Sequence, residues 1–280
     1  MKESILQRLF PNRFTKILLS IYLVAVAWVL AIKLTSSQGG LINDSYGLIL
    51  GFIPLLGGLY GLYISKAWGS WQSALGKGVI FLSLGLISWS LGTYIFSGYY
   101  NLYAGVAVPY PSLSDVAYIL SWPLWGVGMF FLSKATGAKY GLRHRGGKAI
   151  FFLVPIVAIV LSYYLLVVVA RGGKFDFSDS SMLKIFFDLF YPVGDVVIAT
   201  VATVIYGLSY NYLGGKFKVA IYFILIGFVL NYIADFSFSY TTTLETFYAG
   251  DWVDFLFTTT MFVLSLGVSL LDPKITRERK

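Results

Sequence analysis

The chain has 280 residues, of which 58% are hydrophobic and only 12% are charged. A soluble globular domain carries about twice that charged fraction, so the composition excludes a soluble enzyme or a soluble binding domain. The net charge of +8 does not indicate nucleic-acid binding, because the basic residues fall between long apolar segments, where such residues orient membrane helices.

Eight apolar segments follow one another, each long enough to cross about 30 Å of hydrocarbon as a helix. Continuous apolar runs satisfy their backbone hydrogen bonds within helices. We therefore predict an all-α polytopic membrane bundle that forms a single integral-membrane domain over residues 1–280, with no soluble domain. The first span follows a basic leader and is predicted to be an uncleaved anchor. The predicted spans are Phe14 to Leu34, Tyr46 to Ile64, Gly78 to Phe96, Leu113 to Leu132, Ala149 to Ala170, Leu183 to Leu208, Val219 to Tyr240 and Trp252 to Leu271.

The distribution of lysine and arginine predicts how these spans are oriented. With the N-terminus in the cytoplasm, all but four of the 21 positively charged residues lie on the inner side. Both termini are then cytoplasmic, and the predicted location is the plasma membrane. The loop from Lys134 to Lys148 is the most basic, and it could also bind anionic lipid or the acidic surface of a signalling partner. The four exceptions are Lys33, Arg171, Lys174 and Lys184.

Two patterns predict how the helices pack. The second span contains the GxxxG pairs Gly47/Gly51 and Gly57/Gly61, which let helix backbones approach closely. In addition, segments 85–132 and 227–271 share a layout that indicates a weak internal repeat. Each has an apolar helix, an aromatic outer loop and a return helix with an acidic start. Such duplication is common among transporters.

Five aspartates inside the predicted bundle are the candidates for a functional site, because a carboxylate in the membrane is costly. Asp115 follows Ser112 by three residues, and Asp254 stands in the same relation to Asp251, so both could be helix caps. Asp188 could pair with Lys184, one helical turn earlier. The other two aspartates are Asp195 and Asp235.

Asp195 is too deep to be a cap, since it lies about 18 Å below the start of its span at 1.5 Å per residue. Asp188 and Asp195 share a helix face, as do Asn231 and Asp235. Pro192 lacks an N–H and leaves the carbonyl of Asp188 free. We predict an outward-facing acidic pocket for a small polar or cationic ligand. The alternative is that the aspartates are protonated and only hydrogen-bond neighbouring helices. The predicted ligand-binding residues are Asp188, Asp195, Asn231 and Asp235, with Asp115, Tyr118, Tyr191 and Asp254 at the rim.

The sequence offers few tools for catalysis. It has no cysteine, and its single histidine, His144, falls in the basic cytoplasmic loop. A Ser-His-Asp triad and histidine or cysteine metal clusters are thus excluded from the membrane interior. No nucleotide-binding motif is present. We expect no catalytic residues, no metal ligands and no cofactor.

The motif Pro111-Ser112-Leu113-Ser114-Asp115-Val116-Ala117-Tyr118 resembles a pattern in multi-helix membrane sensor domains, which precede bacterial diguanylate cyclases and histidine kinases. The resemblance extends to the segments 191–195, 234–235 and 250–254, and covers about residues 85–271. It implies a sensing pocket lined by Asp115, Tyr118, Asp195, Asp235 and Asp254. Because the chain ends at Lys280 with no output domain, we expect any signal to pass through a separate partner.

Four functions remain open at this point. The first is a non-catalytic receptor or sensor-like module that signals through a partner. The second is a secondary transporter or cation-conducting protein, which the duplicated hairpins and the midplane carboxylate favour. The others are a membrane enzyme that uses paired aspartates and a purely structural subunit.

Overall fold

The protein is an all-helical bundle in a computed structural model that describes residues 9–136, 145–169, 172–173, 193–194, 196–198, 200–201, 203–204 and 217–278. Within these residues there is no β-strand, as the continuous apolar runs predict. Six helices are long and apolar enough to cross a membrane, which supports a multi-pass membrane protein. The eighth and last described helix is short and follows the bundle.

The helices agree closely with most of the predicted spans. The fifth predicted span corresponds to α5, whose apolar stretch within the described residues, Phe152–Leu161, is shorter than a full span. Most of the sixth predicted span lies outside the described residues. The helices are α1 Arg13–Leu34, α2 Leu41–Ser65, α3 Ala74–Thr93 with a π-helical extension Tyr94–Ala104, α4 Leu113–Thr136, α5 Arg145–Tyr163 with a π-helical extension Tyr164–Val169, α6 Lys218–Thr243, α7 Trp252–Ser269 and α8 Pro273–Glu278.

One end of the bundle joins the start of α1, the end of α2 and the end of α7. The Tyr60 hydroxyl donates to Asp272 Oδ2 at 2.7 Å, and Asn12 Nδ2 donates to the Tyr60 oxygen at 2.9 Å. The Trp68 indole donates to the Leu271 carbonyl at 2.7 Å. Because the loop between α2 and α3 also lies here, this end carries Lys66, and we call it the basic end.

The opposite end joins the end of α1, the start of α2 and the α6–α7 loop. Asn43 is fully buried, and its Nδ2 donates to the carbonyl of Ala249 at 2.8 Å. The Trp28 indole donates to the Ile42 carbonyl at 3.1 Å. We call this the acidic end, since Asp251 and Asp254 lie at the start of α7. The two sets of contacts show that α1 runs from the basic end to the acidic end, whereas α2 and α7 run in the opposite direction.

Helix α7 is the centre of the bundle. In its membrane-length window 72% of the residues are buried, compared with 17% in α1. It packs against α1, α2 and α6. A helix that is apolar on all sides and surrounded by other helices belongs to the protein core, whereas α1 exposes most of its surface to lipid. Side chains on α7 are therefore the best placed to contact several helices at once.

The glycines of α2 allow the predicted close approach. A Cβ placed on Gly57 would lie 2.3 Å from Ser265 Oγ of α7, and one on Gly61 would lie 2.0 Å from Ser83 Oγ of α3. Neither space could hold a methyl group without a shift of the neighbouring helix. The GxxxG prediction is confirmed, because small residues set the distance between these helices.

Hairpins α3–α4 and α6–α7 pack in the same way. A Cβ on Gly128 of α4 would lie 2.9 Å from the backbone nitrogen of Leu82 in α3. A Cβ on Gly267 of α7 would lie 2.9 Å from the backbone nitrogen of Ile224 in α6. In both hairpins, a glycine of the returning helix thus touches the backbone of the helix before it. The two glycines fall within the segments of the predicted repeat, and their partners Leu82 and Ile224 lie three residues before the start of each segment.

Candidate functional site

Asp115 lies in the first turn of α4 and is 7% exposed. Its Oδ2 accepts a hydrogen bond from the backbone N–H of Ser112 at 2.6 Å and another from the Ser112 hydroxyl at 3.0 Å. This is the carboxylate half of a capping box. The predicted capping role is therefore present. One carboxylate oxygen is engaged at the helix start, and the group remains at the acidic end near the bundle interior.

Asp251 is the N-cap of α7. Its Oδ1 accepts from the backbone N–H groups of Val253 at 2.7 Å and Asp254 at 3.2 Å. Burial raises the pKa of the Asp251 carboxyl above its ordinary value, although these backbone donors favour the ionised form. Asp254 is not a second cap on this pattern. Its Oδ2 accepts from the backbone N–H of Gly250 at 2.7 Å, which fixes the carboxylate over the turn before α7.

Tyr118 lies within electrostatic range of three of the predicted acidic residues. Its hydroxyl interacts electrostatically with the carboxylates of Asp254, Asp115 and Asp235. The ring lies against Gly92 of α3, where an added Cβ would be 2.6 Å from Tyr118 Cδ1, and the hydroxyl donates to Thr93 Oγ1 at 3.2 Å. Carboxylates of α4, α6 and α7 thus lie within electrostatic range of one tyrosine.

Asn231 and Asp235 meet on one face of α6, as their four-residue spacing predicts. Asn231 Nδ2 donates to Asp235 Oδ2 at 2.8 Å, and Asn231 is only 2% exposed. The hydrogen bond holds the Asp235 carboxylate on the side of α6 from which it interacts with Tyr118. We refer to the predicted site residues that the structure describes as the acidic cluster. Its members are Asp115, Tyr118, Asn231, Asp235 and Asp254.

Three predicted site residues, Asp188, Tyr191 and Asp195, lie outside the described residues. Their place in the pocket stays a prediction. The neighbouring Gly194 is described, and a Cβ on it would lie 2.4 Å from Trp122 Cε3 of α4. This close contact joins the described part of the sixth predicted span to the helix that carries Asp115 and Tyr118.

Two groups of residues next to the acidic cluster were not predicted. Tyr46 of α2 and Thr258 of α7 share a buried hydrogen bond of 2.7 Å, and Tyr46 also interacts electrostatically with Asp254. Trp89 of α3 packs its ring 5.4 Å from the ring of Tyr118 and 5.8 Å from that of Phe257. Helical spacing offered one signal, because Thr258 lies one turn after Asp254. Tyr46 and Trp89, which lie on other helices, have no comparable pattern in the sequence.

The helices that carry the cluster contribute acidic residues but no basic residues to this region. Segments 78–133 and 219–273, which include most of α3 and α4 and nearly all of α6 and α7, contain no lysine or arginine. A carboxylate in the membrane interior is costly unless neighbouring groups or protonation offset its charge. Among the described residues, no group of three or more histidine, cysteine or acidic side chains is arranged to hold a metal ion.

A separate groove of about 290 Å³ opens between α1 and the start of α7. Its walls include Val29 and Phe255, and Lys33 and Asp251 lie at its polar end. Since Asp251 Oδ1 already accepts two backbone hydrogen bonds, the groove is mainly an apolar surface. It is distinct from the acidic cluster, none of whose members lines it.

Comparison of the chain with protein-family models, with curated proteins and with solved structures finds no match.

Proposed function

We propose that the protein is a receptor or sensor-like membrane protein whose acidic cluster binds a small organic cation. The observation that carries the proposal is that the carboxylates of Asp115, Asp235 and Asp254 all lie within electrostatic range of Tyr118. The helices that supply these carboxylates contribute no lysine or arginine within segments 78–133 and 219–273, so a ligand with a positive charge would complement the local charge.

An ammonium group suits the cluster better than an inorganic ion. The carboxylates of the described cluster are not gathered into a metal-binding group. Beside them lie the rings of Trp89, Tyr118 and Phe257, and aromatic faces attract organic ammonium groups through cation–π interactions. Carboxylates together with aromatic rings are the combination of groups expected to bind an amine or a quaternary ammonium ligand.

The resemblance to bacterial sensor domains supports a signalling role for such binding. Under this proposal the protein has eight spans, lies in the plasma membrane, and opens its pocket to the outside. The signal would pass to a separate partner at the basic loop between Lys134 and Lys148. Helices α4 and α7 each carry a cluster carboxylate at one end and reach the basic end at the other, so they are the candidate transmitters.

A secondary transporter is the second candidate, and the equivalent packing of hairpins α3–α4 and α6–α7 favours it. Uptake by proteoliposomes separates the two functions. A receptor should accumulate no radiolabelled choline above empty vesicles, whereas a transporter should show saturable uptake.

Thermal unfolding of the purified protein tests the binding step. Choline, tyramine and spermidine serve as probes, with NaCl added to equal ionic strength in the controls. At least one probe should raise the melting temperature saturably, since a ligand at a hundred times its Kd stabilises the folded state by about 2.7 kcal/mol. Equal melting temperatures with all three probes and with NaCl alone would contradict the proposal.

The proposed orientation can be measured directly because the chain has no cysteine. Gln38 and Gln72 are both exposed, and they follow α1 and α2 at opposite ends of the bundle. In intact cells, a membrane-impermeant maleimide should label Gln38→Cys and spare Gln72→Cys until the cells are permeabilised. Thr246→Cys, in the loop between α6 and α7, should behave like Gln38→Cys. The reverse pattern would show that the N-terminus is outside.

A further inference from the structure

Three sequence segments that connect helices contain many cations and no acidic residue. Segments 65–78, 133–149 and 209–218 have no aspartate or glutamate. A surface with this excess of positive charge attracts anions. The basic residues in these segments are Lys66, Lys77, Lys134, Lys139, Arg143, Arg145, Lys148, Lys216 and Lys218.

Two of these lysines converge on one aromatic ring. The Lys77 ammonium, at the start of α3, lies 5.4 Å from the centroid of the Phe131 ring. The Lys134 ammonium, in the last turn of α4, lies 5.7 Å from the same centroid and 4.4 Å from that of Phe130. Ammonium groups from two different helices thus lie beside the same ring.

Close packing of α3 and α4 brings the two lysines together. A Cβ on Gly78, the residue after Lys77, would lie 3.2 Å from the backbone nitrogen of Leu132 and 3.3 Å from the carbonyl oxygen of Gly128. The absence of a side chain at this position lets the start of α3 lie directly against the last turns of α4. The lysine pair is therefore set by the helix packing and not by flexible loops.

Aromatic rings continue from the lysines along the outer surface, and among them Phe81 and Phe131 are half-buried. Phe81 stacks on Phe131 with centroids 6.0 Å apart, and Trp71 meets Phe81 edge-on at 5.6 Å. Trp71 is 56% exposed and Phe130 is 52% exposed. Tryptophan and lysine together at a helix end are typical of the membrane interface, where rings contact acyl chains and ammonium groups contact headgroups.

We propose that Lys77 and Lys134 form a binding site for the phosphate of an anionic phospholipid, whose acyl chains lie along Phe130, Phe81 and Trp71. An acidic protein would satisfy the charges but would leave the exposed rings uncovered. A lipid satisfies both, because its phosphodiester and its chains are joined at the depth where the lysines and rings meet. The site is independent of the acidic cluster, which lies toward the other end of the bundle.

Native mass spectrometry of the full-length protein, released from nanodiscs of phosphatidylcholine with phosphatidylglycerol, tests this site. The double variant Lys77→Gln/Lys134→Gln should retain roughly tenfold less phosphatidylglycerol than the wild type. The control is Lys66→Gln/Lys148→Gln, which removes the same charge from exposed positions at the same end. It should retain phosphatidylglycerol like the wild type, and both doubles should keep the wild-type melting temperature to within a few degrees.

Several results would overturn the proposal. An equal loss of retained phosphatidylglycerol in both double variants would mean that the lipid is attracted diffusely to the basic end. Retention unchanged by Lys77→Gln/Lys134→Gln would place the lipid elsewhere. Displacement of the lipid by inorganic phosphate at matched ionic strength would indicate a site for free phosphate. Saturable binding of a polyglutamate peptide, lost in the same double variant and without retained lipid, would indicate an acidic protein partner.

Discussion

Replacing Gly128 by alanine is expected to destabilise the protein, whereas the same replacement at Gly126, two residues earlier in α4, is expected to stabilise it. A Cβ on Gly128 would lie 2.9 Å from the backbone nitrogen of Leu82, so helix α3 must move away. Overpacking of this kind costs roughly 1 to 3 kcal/mol. A Cβ on Gly126 meets nothing within 4 Å, and alanine favours a helix over glycine by up to about 1 kcal/mol.

The test is to compare the melting temperatures of the two purified variants in the same detergent. The opposite signs make the pair informative, because a general effect of alanine on α4 would act in the same direction at both positions. Gly267→Ala should repeat the Gly128 result, since its Cβ would meet the backbone of Ile224 at the same 2.9 Å. Variants of Gly128 and Gly126 that melt alike would show that α3 and α4 do not pack as described.

The helices were largely predictable because each is a long apolar run, and hydropathy depends little on tertiary contacts. Errors arose where polar residues are satisfied inside the bundle. The second span was predicted to begin at Tyr46, but α2 begins at Leu41. The polar residue Asn43 appeared to lie outside the helix, yet it is buried and bonded to Ala249 across the α6–α7 loop. That partner is 206 residues away and is invisible to local patterns.

The acidic cluster was predictable residue by residue but not as an arrangement. The cost of a carboxylate in the membrane singled out Asp115, Asp235 and Asp254, and helical spacing paired Asp235 with Asn231. Neither argument shows which helices are neighbours. Tyr118 was therefore expected at the rim of the pocket, and its place near carboxylates from three helices was not predicted. Trp89 was missed for the same reason, since one aromatic residue in an apolar helix has no distinctive pattern.

The second large effect is expected at Asp254, where Asp254→Asn should abolish the response to the ammonium probe that stabilises the wild type most. The variant removes one of the three carboxylates around Tyr118. Loss of one partner of a close charge pair costs about 2 kcal/mol or more, so binding should weaken by roughly thirtyfold or more. Without ligand, the variant should melt at the wild-type temperature or above it, because an amide oxygen can still accept the Gly250 N–H and a buried charge is gone.

The melting temperature without ligand separates a binding carboxylate from a structural one. If the Asp254 carboxylate stabilises the bundle through its charge, its replacement by an amide should lower the melting temperature without ligand. If the carboxylate instead serves to bind a ligand, the replacement should not lower it. Glu245→Gln is the matched control. It removes the same charge at the acidic end from an exposed loop residue, and its probe response should equal that of the wild type. A probe response that survives in Asp254→Asn and in Asp235→Asn would move the ligand away from the acidic cluster, because these two variants remove the carboxylates of α7 and α6 in turn.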